Sequence, residues 1–311
     1  MRKVLVTGAG GFIGSRLVER MLRDPRFDDA RITLLDRALP RHSDKRIRRI
    51  EGDLVEAPVR AEALDGKVDM LFHLAGVLGG AAEADYAAAR RVNVDATLSL
   101  FEEVSNPAAP PRVVFASSIA VFGQPLPGLI EDSSWPRPMM HYGAQKLMLE
   151  IALDQFSRRG LVDGLAIRLP GIVARRNADA RQKAAFLNLI FHAVAEGRDF
   201  TLPVPPEGTT WLLSVPACID AFLHAGLVQS PSAEMARAFT LPAQCVRIDS
   251  LVAALRRRFP HSPSRIDYAP QPELTAQFGA QPPLTTATGD LLGFRHDGDL
   301  ETLIKRALED D

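Results

Sequence analysis

Apolar runs and amphipathic segments alternate along the first half of the chain. Short β-branched or apolar runs predict strands, because strands covered on both faces are continuously apolar. The predicted strands are "KVLVT" (3–7), "RITLLD" (31–36), one ending at "IEGDL" (50–54), "VDMLFHLAG" (68–76), "RVVFASS" (112–118) and "VDGLAIRL" (162–169). Apolar residues at helical spacing predict helices over 12–22, 83–105 and 141–159. This alternation predicts an α/β fold of Rossmann type, with a doubly wound parallel sheet.

The pattern changes after about residue 170. Helices are predicted near 180–196, 214–227 and 248–258, with the short strand "AFTLP" (238–242) between the last two, and a looser tail follows. We therefore predict a cofactor-binding domain over 1–170 and a smaller substrate-binding lobe over 171–311 that is partly interleaved with the sheet.

The amino-acid composition excludes several kinds of partner and site but does not indicate a function. The 37 basic and 38 acidic residues give a net charge of −1, so neither nucleic acid nor an anionic membrane surface is expected as a partner. The two cysteines, Cys218 and Cys245, lack metal-ligand spacing and are too few for a disulfide scaffold, so no metal is predicted. The opening "MRKVLVTGAGG" has no signal-peptide architecture, and a cytoplasmic protein is expected.

The segment "TGAGGFIG" places glycines where a dinucleotide-binding loop needs them, at Gly8, Gly11 and Gly14. Such a loop turns tightly off the first strand and leaves backbone amides and a helix N-terminus open to a pyrophosphate. Phe12 and Ile13, at the start of that helix, are counted among the cofactor-binding residues. Three glycines alone are weak evidence, since any strand-to-helix turn uses them.

Asp36 ends the second strand, 22 residues after Gly14. A carboxylate there accepts the hydroxyls of an adenosine ribose and repels a 2′-phosphate, which favours NAD. Arg37 and Arg41 keep NADP open as the alternative. Asp53 and Leu54, after the third strand, are predicted to lie at the adenine, although Asp53 equally fits a turn-capping role.

A tyrosine and a lysine lie four residues apart in "HYGAQK", on one face of a predicted helix. An ammonium near Tyr142 would favour its phenolate, which could then act as the base when an alcohol is oxidised. Ser117 and Ser118 form the C-terminal end of a parallel strand, at the edge where such sheets bind ligands, and the Ser118 hydroxyl would orient the substrate oxygen. The alternative is an exposed tyrosine with Lys146 as an ordinary helix neighbour, and strand-end serines bonded to the backbone.

These segments together resemble the extended short-chain dehydrogenase/reductases, the NAD-dependent epimerase/dehydratase family. The resemblance covers essentially the whole chain and is carried by "TGAGGFIG", "HLAG", "RVNVDAT", "FASSIAVFG", "YGAQK" and "LLGF". It implies that Ser118, Tyr142 and Lys146 form a catalytic triad. It also implies NAD contacts from Leu74, Ala75, Gly76, Asn93, Ser117, Tyr142, Lys146 and Pro170. A plain helix-polar role for Asn93 and a packed core role for His73 stay open.

The chain departs from the nucleotide-sugar enzymes of that family at three positions. Gly171 stands where an asparagine would touch the substrate, and "TTWLLSV" and "LTTATGD" offer Thr210, Trp211 and Thr288 where arginines would be expected. Losing two guanidiniums removes the strongest means of holding a diphosphate, so a smaller and less charged substrate is expected.

Three longer segments resemble the branch of the family that oxidises D-erythronate with NAD. They are "VFGQPLPGLIEDSSWPRPMMHYGAQK", "FSRRGLVDGLAIRLPGIVARR" and "WLLSVPACIDAFLHA". That resemblance implies oxidation of the 2-hydroxyl of a small sugar acid, with Ser118, Tyr142 and Arg175 binding substrate. Arg176 and the "LGG" backbone at 78–80 are further candidates for the carboxylate, and Trp211 for a pocket wall or the core. A nucleotide-sugar epimerase or dehydratase is the alternative. A homodimer through the helices near 83–105 and 141–159 is expected by analogy.

Overall fold

The computed structural model describes residues 1–176, 183–232 and 235–309. Its strands are β1 Arg2–Thr7, β2 Ala30–Asp36, β3 Ile47–Glu51, β4 Met70–His73, β5 Arg112–Ser118, β6 Asp163–Leu169, β7 Gly171–Val173, β8 Phe200–Leu202, β9 Thr209–Ser214, β10 Ala238–Thr240, β11 Gln244–Arg247 and β12 Ile266–Tyr268. Its α-helices are α1 Phe12–Arg23, α2 Ala57–Ala63, α3 Gly79–Ala84, α4 Tyr86–Arg90, α5 Thr97–Val104, α6 His141–Arg158, α7 Phe186–Ala195, α8 Val215–Leu227, α9 Ile248–Arg258, α10 Pro272–Phe278, α11 Ala287–Leu291 and α12 Leu300–Glu309.

Seven strands form the main sheet, in the order β10-β6-β5-β4-β1-β2-β3. β1 pairs in parallel with β2 on one side and β4 on the other, so the strand order reverses beside β1. Ligands of open α/β sheets bind at this switch, outside the carboxyl ends of the strands. The predicted α/β class with a doubly wound parallel sheet is confirmed.

The chain divides into two compact units. The sheet unit comprises Met1–Val121, Pro136–Arg168 and Ile219–Phe239, and the second unit comprises Phe122–Trp135, Leu169–Cys218 and Thr240–Asp311. β10 comes from the second half of the chain but completes the sheet beside β6. The functional boundary expected at residue 170 stays a prediction, although the compact units interleave more than a single boundary implies.

Each unit has its own apolar core. In the sheet unit, the strands pack against one face of α5 and α6, through residues such as Leu100, Phe101, Leu149 and Leu153. In the second unit, α7, α9 and α12 enclose a three-stranded sheet in the order β11-β9-β7. The apolar faces of these helices supply the burial that stabilises both units.

The structure corrects several predicted boundaries. The single helix expected over 83–105 is broken at Asp85, whose carboxylate accepts the N–H of Ala88 and so begins α4. A π-helical segment, Arg91–Ala96, then precedes α5. The third strand ends at Glu51 rather than 54, and the tail expected to be loose contains α10, α11 and α12.

The helix predicted near 180–196 is present as α7, and its first predicted residues, 180–182, lie outside the described residues. The helices predicted near 214–227 and 248–258 are α8 and α9. Within the part of the chain that the structure describes, no helix is both long and apolar enough to cross a lipid bilayer.

Candidate active site

The glycine loop joins β1 to α1, and Gly8 and Gly14 cannot be replaced on this backbone. Gly8 has φ of +71°, and a Cβ on it would lie 2.6 Å from the backbone nitrogen of Ala75. A Cβ on Gly14 would lie 2.1 Å from the carbonyl oxygen of Gly8. Both distances are far below contact, so the loop lies directly against the segment after β4 and against the first turn of α1. This is the close approach that a pyrophosphate-binding loop requires.

The N-terminus of α1 is prepared for an anion. Gly11 is the N-cap, with extended backbone and no side chain to cap the helix, and the first turn contains no acidic residue. The first amide groups of a helix have no intrahelical acceptor, so those at Phe12 and Ile13 can bind phosphate oxygens. The structure brings Gly8, Gly11 and these two residues together as the sequence predicted.

Asp36 is held in place before any ligand arrives. Its Oδ2 accepts the N–H of Gly10 at 3.0 Å, and its Oδ1 accepts the N–H of Arg37 at 2.7 Å. A Cβ on Gly10 would lie 2.0 Å from the carbonyl oxygen of Ala38, so the glycine loop and the end of β2 fit tightly. Each carboxylate oxygen keeps a further lone pair, which suits it to accept hydroxyls of an adenosine ribose.

Asp53 shows the turn-capping geometry that the sequence left open. Its Oδ1 accepts the N–H of Val55 at 3.0 Å, and its backbone oxygen accepts the N–H of Glu56. Leu54 is buried, and its carbonyl oxygen accepts a hydrogen bond from Arg60. An adenine contact at either residue stays a prediction.

Asn93 ties together the segment after β4 and helix α6. Its side-chain oxygen accepts the N–H of Val77 at 2.7 Å, and its amide donates to the carbonyl oxygen of Val77 and to Oε1 of Gln145. It therefore fixes the loop that contains Leu74, Ala75 and Gly76. A notional Cβ on Gly76 would lie 3.2 Å from the Asn93 oxygen and 3.7 Å from the Lys146 ammonium.

His73 is a packed core residue. It is fully buried, with Nδ1 2.6 Å from the hydroxyl of Thr7 and Nε2 2.9 Å from the hydroxyl of Thr97. Burial, with the nearby Lys146 charge, lowers the pKa of His73 to about 3, so the imidazole is neutral. Its role is to connect β4 with β1 and α5.

The structure brings the predicted triad together within the sheet unit. Ser118 ends β5, and Tyr142 lies in the first turn of α6, where Glu83 accepts its backbone N–H. The Ser118 and Tyr142 side chains are joined by a hydrogen bond. The Lys146 ammonium lies 5.7 Å from the centre of the Tyr142 ring and 4.5 Å from that of Phe115, and it donates to the carbonyl oxygen of Ala116 at 2.7 Å.

The pKa of the tyrosine differs from the sequence expectation. We expect the ammonium of Lys146 to favour phenolate, but burial raises the pKa of Tyr142 to about 12, and the hydrogen bond from Ser118 offsets only part of that rise. Tyr142 as a residue is half-buried, but its hydroxyl is surrounded by protein, which disfavours the charged form. Burial also lowers the pKa of Lys146 to about 8, against the raising effect of Glu150. In the protein alone, the Tyr142 side chain is therefore a neutral phenol.

The side chain of Ser117 is engaged away from the triad. It donates to Oε1 of Glu150 at 2.5 Å, and Glu150 forms a buried ion pair with Arg168, Nη2 to Oε2 at 2.8 Å. Any cofactor contact by Ser117 would have to come from its backbone. Glu150 and Arg168 are site residues that the sequence reasoning missed. The signal was available in Glu150 following Lys146 by one helical turn.

The remaining predicted residues belong to the second unit. Pro170 is buried between β6 and β7. The backbone N–H of Arg175 donates to Oδ1 of Asn188 at 2.7 Å, and the contact with substrate stays a prediction. Trp211 is a core residue rather than a pocket wall: it is 1% exposed, and its indole N–H donates to the carbonyl oxygen of Pro282.

Comparison with known proteins gives the class. The profile of the NAD dependent epimerase/dehydratase family matches residues 4–225, and the chain belongs to this family. It is an oxidoreductase that uses NAD, as the sequence predicted. The glycine loop, the bare N-terminus of α1 and the pre-positioned Asp36 fit that cofactor.

Individual relatives are similar over nearly the full length. The chain is 33% identical to the D-erythronate dehydrogenase of Cupriavidus necator, over 99% of this chain and 98% of that protein. It is 31% identical to the D-erythronate dehydrogenase of Haemophilus influenzae, over 81% of each. Among solved structures, the nucleoside-diphosphate-sugar epimerase of Agrobacterium tumefaciens superposes with a TM-score of 0.90 at 28% identity, covering 100% of this chain and 94% of that one.

Proposed function

We propose that this protein oxidises the 2-hydroxyl of a small sugar acid, D-erythronate or a close analogue, to the 2-oxo acid. The observation that carries the proposal is the similarity to two relatives named D-erythronate dehydrogenase, at 33% identity over 99% of this chain and at 31% identity over 81% of it. The substrate loses a hydride from carbon 2 to NAD and a proton from the oxygen on that carbon, so NADH and a proton are the co-products.

The protein's own groups would handle the proton. The Ser118 hydroxyl is bonded to the Tyr142 phenol, so a substrate hydroxyl between them would be oriented by the serine and deprotonated by the tyrosine. Since the pKa of Tyr142 is about 12 without ligands, it must fall on complex formation. NAD bound in its oxidised form would accept the hydride and would bring a positive charge to the site. That charge and the ammonium of Lys146 both favour phenolate, as opposite charges do.

The second unit supports a small substrate over a nucleotide sugar. Gly171 stands where nucleotide-sugar enzymes are expected to use asparagine, and a Cβ there would lie 2.8 Å from the carbonyl oxygen of Trp211. Thr210 and Trp211 stand at an expected arginine position and are buried against Gln281. Thr288 stands at the second position where an arginine is expected, and its backbone N–H donates to the carboxylate of Asp132. Without those guanidiniums, a diphosphate loses its strongest bidentate partners.

Arg175 remains our candidate for the substrate carboxylate. A planar guanidinium binds a carboxylate through two parallel hydrogen bonds, which suits recognition of a 2-hydroxy acid.

A substrate screen tests the proposal. With NAD and a panel of four- to six-carbon aldonates, we expect NADH to form fastest with D-erythronate or a close stereoisomer, measured by NADH absorbance. UDP-sugars are the control, because an epimerase or dehydratase returns its hydride and forms no net NADH. That alternative draws on the structural likeness to the Agrobacterium tumefaciens enzyme. Conversion of a UDP-sugar without NADH, and no oxidation of any aldonate, would overturn the proposal in its favour.

We further propose that the chain forms a homodimer through α6. Met148 and Ile151 project from this helix with 53% and 63% of their surface exposed, three residues apart and so on one face. Tyr86 of α4 is also half-exposed, with its ring 4.7 Å from that of His141 at the start of α6. A second copy of the chain would cover this apolar surface by two-fold symmetry.

Replacing both Met148 and Ile151 with glutamate is expected to convert the dimer into a monomer, because four carboxylates would meet at the two-fold interface. Central interface changes cost about 2 kcal/mol or more, so the dissociation constant should rise at least ~30-fold. Sedimentation velocity over a range of protein concentrations measures this dissociation constant. Leu291→Glu, at a leucine of the second unit that is even more exposed, is the control and should leave the mass unchanged. A monomeric parent protein would contradict the proposal outright.

A further inference from the structure

A buried ion pair lies one helical turn after the proposed catalytic lysine on α6. Glu150 of α6 and Arg168 of β6 are 3% and 6% exposed. The guanidinium holds both carboxylate oxygens, with Nε to Oε1 at 3.0 Å and Nη2 to Oε2 at 2.8 Å. The Ser117 hydroxyl donates to the same carboxylate at 2.5 Å. A buried carboxylate with this many charge-assisted hydrogen bonds has a fixed position.

The pair also fixes how α6 lies against the end of β5. Lys146 donates to the carbonyl oxygen of Ala116, and Glu150, one turn later, accepts from Ser117, the next residue of the same strand. One turn before Lys146, Tyr142 bonds Ser118. Three successive turns of the helix therefore contact three successive residues of the strand. Loosening the last of these contacts would loosen the position of the other two.

The charge on Glu150 acts on Lys146 as well. Burial lowers the pKa of Lys146 to about 8, and the Glu150 carboxylate opposes that fall. Among the residues that the structure describes, the other groups around the ammonium add no negative charge: His73 of β4 is neutral, Tyr142 is a neutral phenol, and Asn93 contributes an amide. From β5 it meets the Phe115 ring and the Ala116 carbonyl, and Arg168 of β6 is a cation behind Glu150.

We infer that Glu150 is a positioning residue for Lys146: through Arg168 and Ser117 it fixes the lysine against β5, and it places a negative charge one turn along α6 from the ammonium. The inference rests on the proposed function only in taking Lys146 as catalytic. Arg168 has the supporting role of holding the carboxylate in place. Without Arg168, the buried Glu150 carboxylate would lose its ion-pair partner, and a buried charge without its partner is costly.

Titration of Lys146 tests this without any substrate. The chain has six lysines, so protein labelled with ¹³C at the lysine Cε gives few signals, and Lys146→Arg assigns the relevant one. The double variant Glu150→Gln with Arg168→Gln removes both charges of the ion pair, so neither charge is left buried without its partner. Its Lys146 midpoint should lie about one pH unit below that of the parent, because the Glu150 carboxylate is the charge of this pair that raises the pKa of Lys146.

Two controls separate charge from packing. Arg60→Gln with Glu103→Gln removes another partly buried ion pair of the sheet unit, 2.9 Å between Nη2 and Oε1, and should leave the Lys146 midpoint unchanged. Ser117→Ala removes a hydrogen bond but no charge and should also leave it unchanged. Glu150→Asp, which keeps the charge and so protects folding, should lower the midpoint by a smaller amount as the carboxylate withdraws.

Equal midpoints in the parent and the double variant of Glu150 and Arg168 would overturn the inference. So would a shift as large in Ser117→Ala, because packing alone would then explain it. Failure to oxidise any aldonate would overturn the proposed function instead, and it would leave the titration result standing. The two failures are therefore distinguishable.

Discussion

Replacing Tyr142 with phenylalanine is expected to lower kcat for sugar-acid oxidation by about 10³- to 10⁴-fold, at the upper end of what a positioned general base contributes. The change removes only the phenol oxygen, which is bonded to Ser118 and is the proposed proton acceptor. The ring, which lies 5.7 Å from the Lys146 ammonium, is kept. Affinity for NAD should therefore stay within about twofold, because the glycine loop and Asp36 are untouched.

Steady-state kinetics together with a cofactor titration by calorimetry measure both quantities. Tyr86→Phe is the matched control, since Tyr86 is in the same unit but exposed, and it should turn over normally. Unimpaired turnover by Tyr142→Phe would remove the tyrosine from the mechanism. Loss of NAD binding instead would mean that the phenol serves the cofactor site rather than the proton transfer.

Replacing Asp36 with alanine is expected to abolish the preference for NAD over NADP. The carboxylate would accept two ribose hydroxyls, and hydrogen bonds to a charged group contribute about 1.5–3 kcal/mol each. NAD binding should therefore weaken by ~100-fold or more, while NADP escapes repulsion of its 2′-phosphate. Arg37 and Arg41 would then be free of a competing carboxylate. The ratio of kcat/KM values for the two cofactors is the measurement.

The control must account for the structural bonds of Asp36, because it also accepts the N–H groups of Gly10 and Arg37. Asp36→Asn keeps an oxygen for one of these and removes the charge, so it should raise NADP use with less loss of NAD binding than alanine. Asp53→Ala, at the aspartate that caps the turn after β3, should leave the ratio of the two cofactors unchanged. An unaltered ratio in Asp36→Ala would show that specificity lies elsewhere.

The parts of the site predictable from sequence are those that depend on short spacing. The glycine loop needs only residues 8–14, and Tyr142 and Lys146 share a helical face whatever surrounds them. Asp36 was identifiable because, once β1 and α1 are assigned, the next strand and the residue at its end can be located in the sequence. These features are local, and the fold class follows from their alternation.

What the sequence could not give depends on neighbours distant in the chain. Glu150, Arg168 and Ser117 lie on α6, β6 and β5 and meet only because those strands are adjacent in the sheet. The pKa of Tyr142 was misjudged for the same reason: a nearby lysine is visible in "YGAQK", but the burial that outweighs it is not. The break in the helix over 83–105 depends on Asp85 and on the bonds of Asn93 to Val77 and Gln145.

The position of β10 has a consequence for dissecting this protein. The carbonyl oxygen of Arg237, just before that strand, accepts the N–H of Ala166 in β6 at 2.7 Å, so residues far along the chain close the outer edge of the sheet. In a fragment that stops at residue 170, β6 would be an exposed apolar edge strand with unpaired backbone N–H and C=O groups. Such edge strands pair with other chains and promote aggregation. A stand-alone cofactor-binding fragment must therefore be built as a discontinuous piece that retains residues 219–239.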